Sequence, residues 1–156
     1  SAAPVMVLGA GGSTRAAIFA LLQAGTPEIR LSNRTRAKAE VLADAFGEKV
    51  KVIDWFERSS ALASCGLLVN TTSLGMTGQP ALDIVLEDLP GSAVVYDIVY
   101  SPLETPLLAA ARARGNQGVD GLGMLLHQAT PGFEAWFGVK PVVDTTLRDV
   151  ILADLT

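Results

Sequence analysis

The chain has 156 residues, 49% of them hydrophobic and 18% charged, with a formal net charge of −4. That size and composition suit one folded domain with a proper core and exclude a disordered chain. The acidic balance argues against wholesale binding to nucleic acid or anionic membrane, and no apolar run reaches the roughly 18–20 residues of a membrane helix.

Residues 5–8, Val-Met-Val-Leu, read as a buried strand. A glycine turn follows, and residues 13–24 are expected to form a helix with Ala16, Ala17, Phe19, Ala20 and Leu21 as its apolar surface, ended by Gly25 and Pro27. Residues 28–32 form the second expected strand. Residues 36–46 form the second helix, carrying Ala39, Val41, Leu42 and Ala45 and stopped near Gly47. A third strand at 49–53, a weaker helix at 56–63 and strands at 67–70 and 93–97 come next. Residues 71–90 are the longest irregular stretch, rich in Gly, Thr, Ser and Pro. Because they follow a strand, they are expected to border a ligand crevice. Thr105-Pro106 reads as an N-cap followed by proline at the first helical position, opening a helix to about Arg114. A short strand at 117–120 and helices at 124–136 and 145–155 close the chain, and Trp55 and Trp136 are expected to be packing anchors.

Strand–helix alternation with apolar strands means a mostly parallel sheet with helices on both faces. Right-handed crossovers make it a doubly wound, Rossmann-like α/β domain, expected to occupy residues 1–156 without linker or repeat. The turn Gly9-Ala10-Gly11-Gly12-Ser13-Thr14 lies between strand and helix, the context a pyrophosphate cradle requires. The sixth position is Thr14, where Gly or Ala is usual, so slightly looser packing is expected there. Beyond the second strand an NAD site would carry Asp or Glu for the ribose hydroxyl, but Ser32 and Asn33 stand there, followed by Arg34, Arg36 and Lys38. Guanidinium groups suit a 2′-phosphate, so the expected cofactor is NADP. These cations, with Arg15 and Arg30, form a local basic cluster in an acidic chain, which points to a small anionic ligand. A helix N-terminus disfavours cations, a cost that a bound anion would offset.

These residues resemble the shikimate dehydrogenase family. The resemblance runs from Gly9-Ala10-Gly11-Gly12 with Arg15-Ala16 and Asn33-Arg34-Thr35 through Asn70-Thr71-Thr72-Ser73-Leu74-Gly75-Met76. It continues in Asp97-Ile98-Val99-Tyr100-Ser101-Pro102 with Thr105 and Leu107, and in Gly121-Leu122-Gly123-Met124-Leu125 with Gln128-Ala129. It implies NADP-dependent, reversible reduction of 3-dehydroshikimate to shikimate, a cytoplasmic step toward aromatic amino acids. It implies that Asn33, Arg34, Thr35 and Lys38 hold the 2′-phosphate. Lys38 stands where Arg is commoner, which keeps the charge but loses the planar fork. The loop from Thr71 through Thr72, Ser73, Gly75 and Met76, with Ile98, would line the ribose and nicotinamide. Gly121 would meet the nicotinamide amide through its backbone, and Tyr100 and Gln128 would reach the substrate. The family's catalytic Lys and Asp belong to an N-terminal substrate domain that this chain does not match, so no catalytic residue is assigned here.

His127, mid-helix, reads as a structural histidine, and Asp97 as a residue that bonds nearby loop amides at least as readily as it contacts a ligand. Cys65, the single cysteine, fits a reducing compartment and a small core residue better than a nucleophile. No spacing supports a metal site or a Ser-His-Asp set. Two other functions stay open: an NAD-dependent quinate/shikimate dehydrogenase, and a non-catalytic NADP-sensing module.

Overall fold

The apolar run Val5–Leu8 has two faces to bury, and as strand β1 it occupies the middle of a sheet with all four side chains out of water. The computed structural model describes residues 3–155. Residues 1, 2 and 156, the ends of the expected 1–156 domain, lie outside the described residues. The other strands are β2 (Ile29–Ser32), β3 (Val50–Ile53), β4 (Leu67–Asn70), β5 (Val94–Asp97) and β6 (Gln117–Val119). Their order is β3-β2-β1-β4-β5-β6, and every pairing is parallel. The order reverses between β1 and β4, so a crevice opens over the carboxyl ends of those two strands.

Alternation along β1 sorts the core. Val5 and Val7 point to one face, with Ile18, Ile29, Leu31, Ala39 and Leu42. Met6 and Leu8 point to the other, with Leu68, Val95, Leu107, Leu108 and Ala111. Helices α1 (Gly12–Gln23) and α2 (Arg36–Phe46) therefore cover one face. Helix α3 (Pro106–Ala113) covers the other, helped by Leu82, Leu86 and Leu89 from the long irregular stretch. Those three leucines explain how the segment stays ordered without regular structure. Helices α4 (Leu122–Phe137) and α5 (Thr145–Leu155) complete the chain and pack on one another. No helix among the described residues is long and apolar enough to cross a membrane.

Several expectations are corrected. The stretch 56–63 is not a helix but two short 3₁₀ turns, Trp55–Glu57 and Ser60–Leu62, the first capped by Asp54 accepting from the Phe56 amide. The buried face of α1 is Thr14 and Ile18, not Ala16, Phe19 and Ala20; Phe19 is 59% exposed. On α2 the buried pair is Ala39 and Leu42, while Val41 faces water. Trp136 is no packing anchor, being 81% exposed. Trp55 does pack against the core, with the Arg58 guanidinium 4.6 Å over its ring.

Candidate functional site

The first strand delivers Gly9 to the switch point with φ +115°, a backbone state that favours glycine. A Cβ there would lie 2.6 Å from Thr71 Oγ1, so no side chain fits between this turn and the segment after β4. Gly11 is the N-cap of α1, and the first-turn amides of Gly12, Ser13 and Thr14 have no intrahelical acceptor. No acidic residue sits in that turn, so the positive end of the helix faces an open space.

That space is a cavity of about 290 Å³ lined by Gly9, Ala10, Gly11, Asn33, Arg34, Thr35, Lys38, Thr71, Thr72 and Ser73. A second, of about 410 Å³, continues past the same Thr71, Thr72 and Ser73 to Ser13, Met76, Ile98, Tyr100 and Gln128. Sharing Thr71, Thr72 and Ser73, they form one crevice over the carboxyl ends of β1 and β4. A side chamber of about 260 Å³ opens between Asn33, Arg34, Trp55, Leu74, Gln79 and Pro80. Leu74 falls within the Thr71–Met76 loop expected to line the ribose and nicotinamide, and Gln79 and Pro80 fall within the irregular stretch expected to border a crevice, whereas no local signal marks Trp55.

The cations separate sharply. Arg34 and Lys38 face the crevice without a side-chain partner among the described residues. Arg36, expected beside them, is held by Glu40 at 2.9 Å and Asp54 at 3.9 Å and does not line the crevice. Arg30 turns away to Glu28 and to the carbonyls of Ala61 and Ala63. Arg15 lies over the Phe46 ring. The five-residue basic cluster is thus a two-residue anion lip. Asn33 Nδ2 donates to the Thr35 carbonyl at 2.8 Å and fixes that lip's turn.

The segment Thr71–Met76 is held from beneath by a buried polar frame. Asn70 Oδ1 accepts from the amide and hydroxyl of Thr72, and Asn70 Nδ2 donates to the Leu74 carbonyl and to Asp97 Oδ1. Asp97 also accepts from the Val99 amide at 3.1 Å and the Thr105 hydroxyl at 2.7 Å. Burial pushes the Asp97 carboxyl above its ordinary value, against those three donors, which pull it down. Asp97 is therefore a frame residue, fully buried and outside the crevice.

Of the expected site residues, three lie off the crevice walls. Gly12 opens α1 at its exposed edge. Gly75, with φ +92°, donates to the Pro80 carbonyl and packs on Thr105. Gly121 donates to the Val99 carbonyl, and a Cβ on it would lie 1.9 Å from the Ile98 carbonyl oxygen. That glycine lets the start of α4 sit directly on the β5 exit. Thr14, expected to loosen the turn, is instead fully buried and hydrogen-bonded. His127 is exposed. No group of three or more His, Cys, Asp or Glu among the described residues could hold a metal ion.

Comparison with known proteins identifies the family. The family model for shikimate/quinate 5-dehydrogenase matches residues 1–103, and that for the shikimate 5′-dehydrogenase C-terminal domain matches residues 121–148. The chain is 61% identical to shikimate dehydrogenase (NADP(+)) of Dinoroseobacter shibae over 98% of its own length and 55% of that protein. It is 60% identical to the same enzyme of Paramagnetospirillum magneticum over 96% of its length and 54% of the relative. It therefore spans about half the length of the curated relatives it matches. Among solved structures, quinate dehydrogenase from Corynebacterium glutamicum in complex with NAD superposes with a TM-score of 0.88 at 32% identity, covering 98% of this chain and 56% of that one. Shikimate 5-dehydrogenase from Thermus thermophilus in complex with NADP(H) and shikimate gives a TM-score of 0.76 at 36% identity, covering 90% and 51%. With a crevice of this shape and family models matching along most of its length, the chain belongs to the shikimate/quinate 5-dehydrogenase family.

Proposed function

We propose that this chain is the NADP-binding part of a shikimate dehydrogenase, serving reversible hydride transfer between NADPH and 3-dehydroshikimate. The observation that carries the reading is the lip beyond β2: Arg34 and Lys38 free on the crevice wall, with no carboxylate lining it. A 2′-phosphate supplies the anion such a lip needs, whereas a bare ribose hydroxyl leaves two cations uncompensated. The NADP(+) dependence of the matched relatives supports the same choice.

The residues present fit the cofactor. Gly9 leaves room that a Cβ would fill, and the start of α1 borders the crevice at Gly11 and Ser13 with no acid in its first turn to compete. Asn33, Arg34, Thr35 and Lys38 would hold the 2′-phosphate, with Gly9, Ala10, Gly11, Gly12 and Ser13 around the pyrophosphate. Thr71, Thr72, Ser73, Met76 and Ile98 would flank the ribose and nicotinamide, with Gly75 and Gly121 shaping that end from behind. Bound there, the nicotinamide supplies the hydride. Tyr100 and Gln128, on the rim of the larger cavity, would orient the substrate. We assign the general acid for the carbonyl oxygen to the half of the relatives' length that this chain does not match, together with the rest of the substrate site. Cys65, a free and buried thiol, accords with a cytoplasmic location.

Calorimetric titration of NADP and NAD into the chain tests the cofactor, with tighter NADP binding expected. Shikimate-dependent formation of NADPH by a protein in which this chain is joined to a substrate domain tests the reaction. Tighter NAD binding would move the reading to an NAD-dependent quinate/shikimate dehydrogenase. Tight NADP binding without turnover in the joined protein would move it to a sensing module.

A further inference from the structure

Two buried threonines link the walls of the crevice. Thr14 is fully buried on α1, and Thr71 is 8% exposed just after β4. Thr71 Oγ1 lies 2.6 Å from the Leu8 carbonyl oxygen and 2.7 Å from Thr14 Oγ1. Thr14 Oγ1 in turn lies 3.0 Å from the Gly11 amide nitrogen. The polarity of this chain of bonds follows from the chemistry of its ends. A carbonyl only accepts, so Thr71 gives its one hydroxyl proton to Leu8. Thr14 must then donate to Thr71, and it uses a lone pair to accept from the Gly11 N–H. Each of these bonds is out of water or nearly so, where a lost partner is costly.

We propose that Thr14 is a positioning residue for the dinucleotide. Its hydroxyl, with that of Thr71, clasps the glycine turn to the β4 exit and removes the Gly11 amide from the groups that bind pyrophosphate. The phosphate contact then falls to the amide of Ser13, which lines the crevice, and to that of Gly12 at its exposed edge. The clasp also explains the tight seat of Gly9, whose missing Cβ leaves space for Thr71 Oγ1. Because the Thr71 side of the clasp belongs to the segment that flanks both cavities, the phosphate end and the nicotinamide end are held in one register.

This inference rests on the reading of the crevice as an NADP site, and its test separates the two. Thr14→Val keeps the shape and deletes the hydroxyl. The parent and variant chains are titrated with NADP and with 2′-AMP, which carries the 2′-phosphate and no pyrophosphate. NADP affinity should fall about tenfold in the variant, the scale of one lost buried hydrogen bond, while 2′-AMP affinity stays within twofold. In the ¹⁵N-labelled parent the Gly11 amide should resist hydrogen exchange without cofactor and shift less on NADP addition than the Gly12 and Ser13 amides. Equal NADP affinity in the variant, or parallel loss of NADP and 2′-AMP, overturns the proposal. A Gly11 amide that exchanges freely in the parent also overturns it. If the valine variant does not fold, Thr14→Ala gives the same comparison with a residue usual at this motif position. A parent chain that binds neither ligand would refute the NADP reading itself, and the clasp's role with it.

Discussion

Arg34→Ala should weaken NADP binding and spare NAD. Arg34 is exposed on the crevice wall and makes no hydrogen bond or ion pair with the described protein, so truncating it removes nothing from the fold. The whole effect is then a lost contact to ligand. A charge-assisted hydrogen bond is worth about 1.5–3 kcal/mol, and exposure and salt screening place this one at the low end. The dissociation constant for NADP should therefore rise about tenfold at moderate salt. NAD, with a hydroxyl in place of the phosphate, should change by less than twofold. Arg36→Ala supplies an internal control, because Arg36 is already paired with Glu40 and Asp54 and should leave NADP affinity unchanged. Isothermal titration of both cofactors into the three proteins measures all of this. Equal loss of NAD and NADP in Arg34→Ala, or a comparable loss in Arg36→Ala, would refute the assignment of the lip to a 2′-phosphate.

Gly121→Ala puts a methyl 1.9 Å from the Ile98 carbonyl, a backbone obstacle that cannot swing aside. It should cost about 3 kcal/mol, read as a fall in melting temperature of roughly 6–12 °C; a fall below about 2 °C would show that α4 can back away. Asp97, with its carboxyl raised above 3.8, keeps its proton in the folded chain over a window where the unfolded chain has released it. Asp97 therefore favours folding most at the acid end of that window, and this advantage is lost as pH rises through the raised value. The stability gap between parent and Asp97→Asn should narrow with rising pH in denaturant titrations, and a widening gap would contradict it. Burial also raises the Cys65 thiol, against the pull of Arg30, so alkylation of the native chain should be slow and should become fast only in denaturant.

The parts of this protein legible in one dimension are those governed by local rules. Buried strands are apolar runs, and a glycine turn between strand and helix has few other uses. An N-cap threonine before proline at 105–106 opened α3 at its stated position, with Thr105 Oγ1 accepting from the Leu108 amide. The absence of an acid after β2 was likewise visible as a gap in a known pattern. What the tertiary structure alone decided were choices among equals. Arg34 and Arg36 look alike two residues apart, yet Glu40 and Asp54 neutralise one and leave the other to a ligand. Thr14 looked like a poor fit for the turn until Thr71, 57 residues away, gave its hydroxyl a partner. Helix α1 offered two apolar sides, and contact with the sheet selected the one through Ile18. In each case the deciding energy is long-range pairing or burial, which depends on which residues meet in space and leaves no mark on the local sequence.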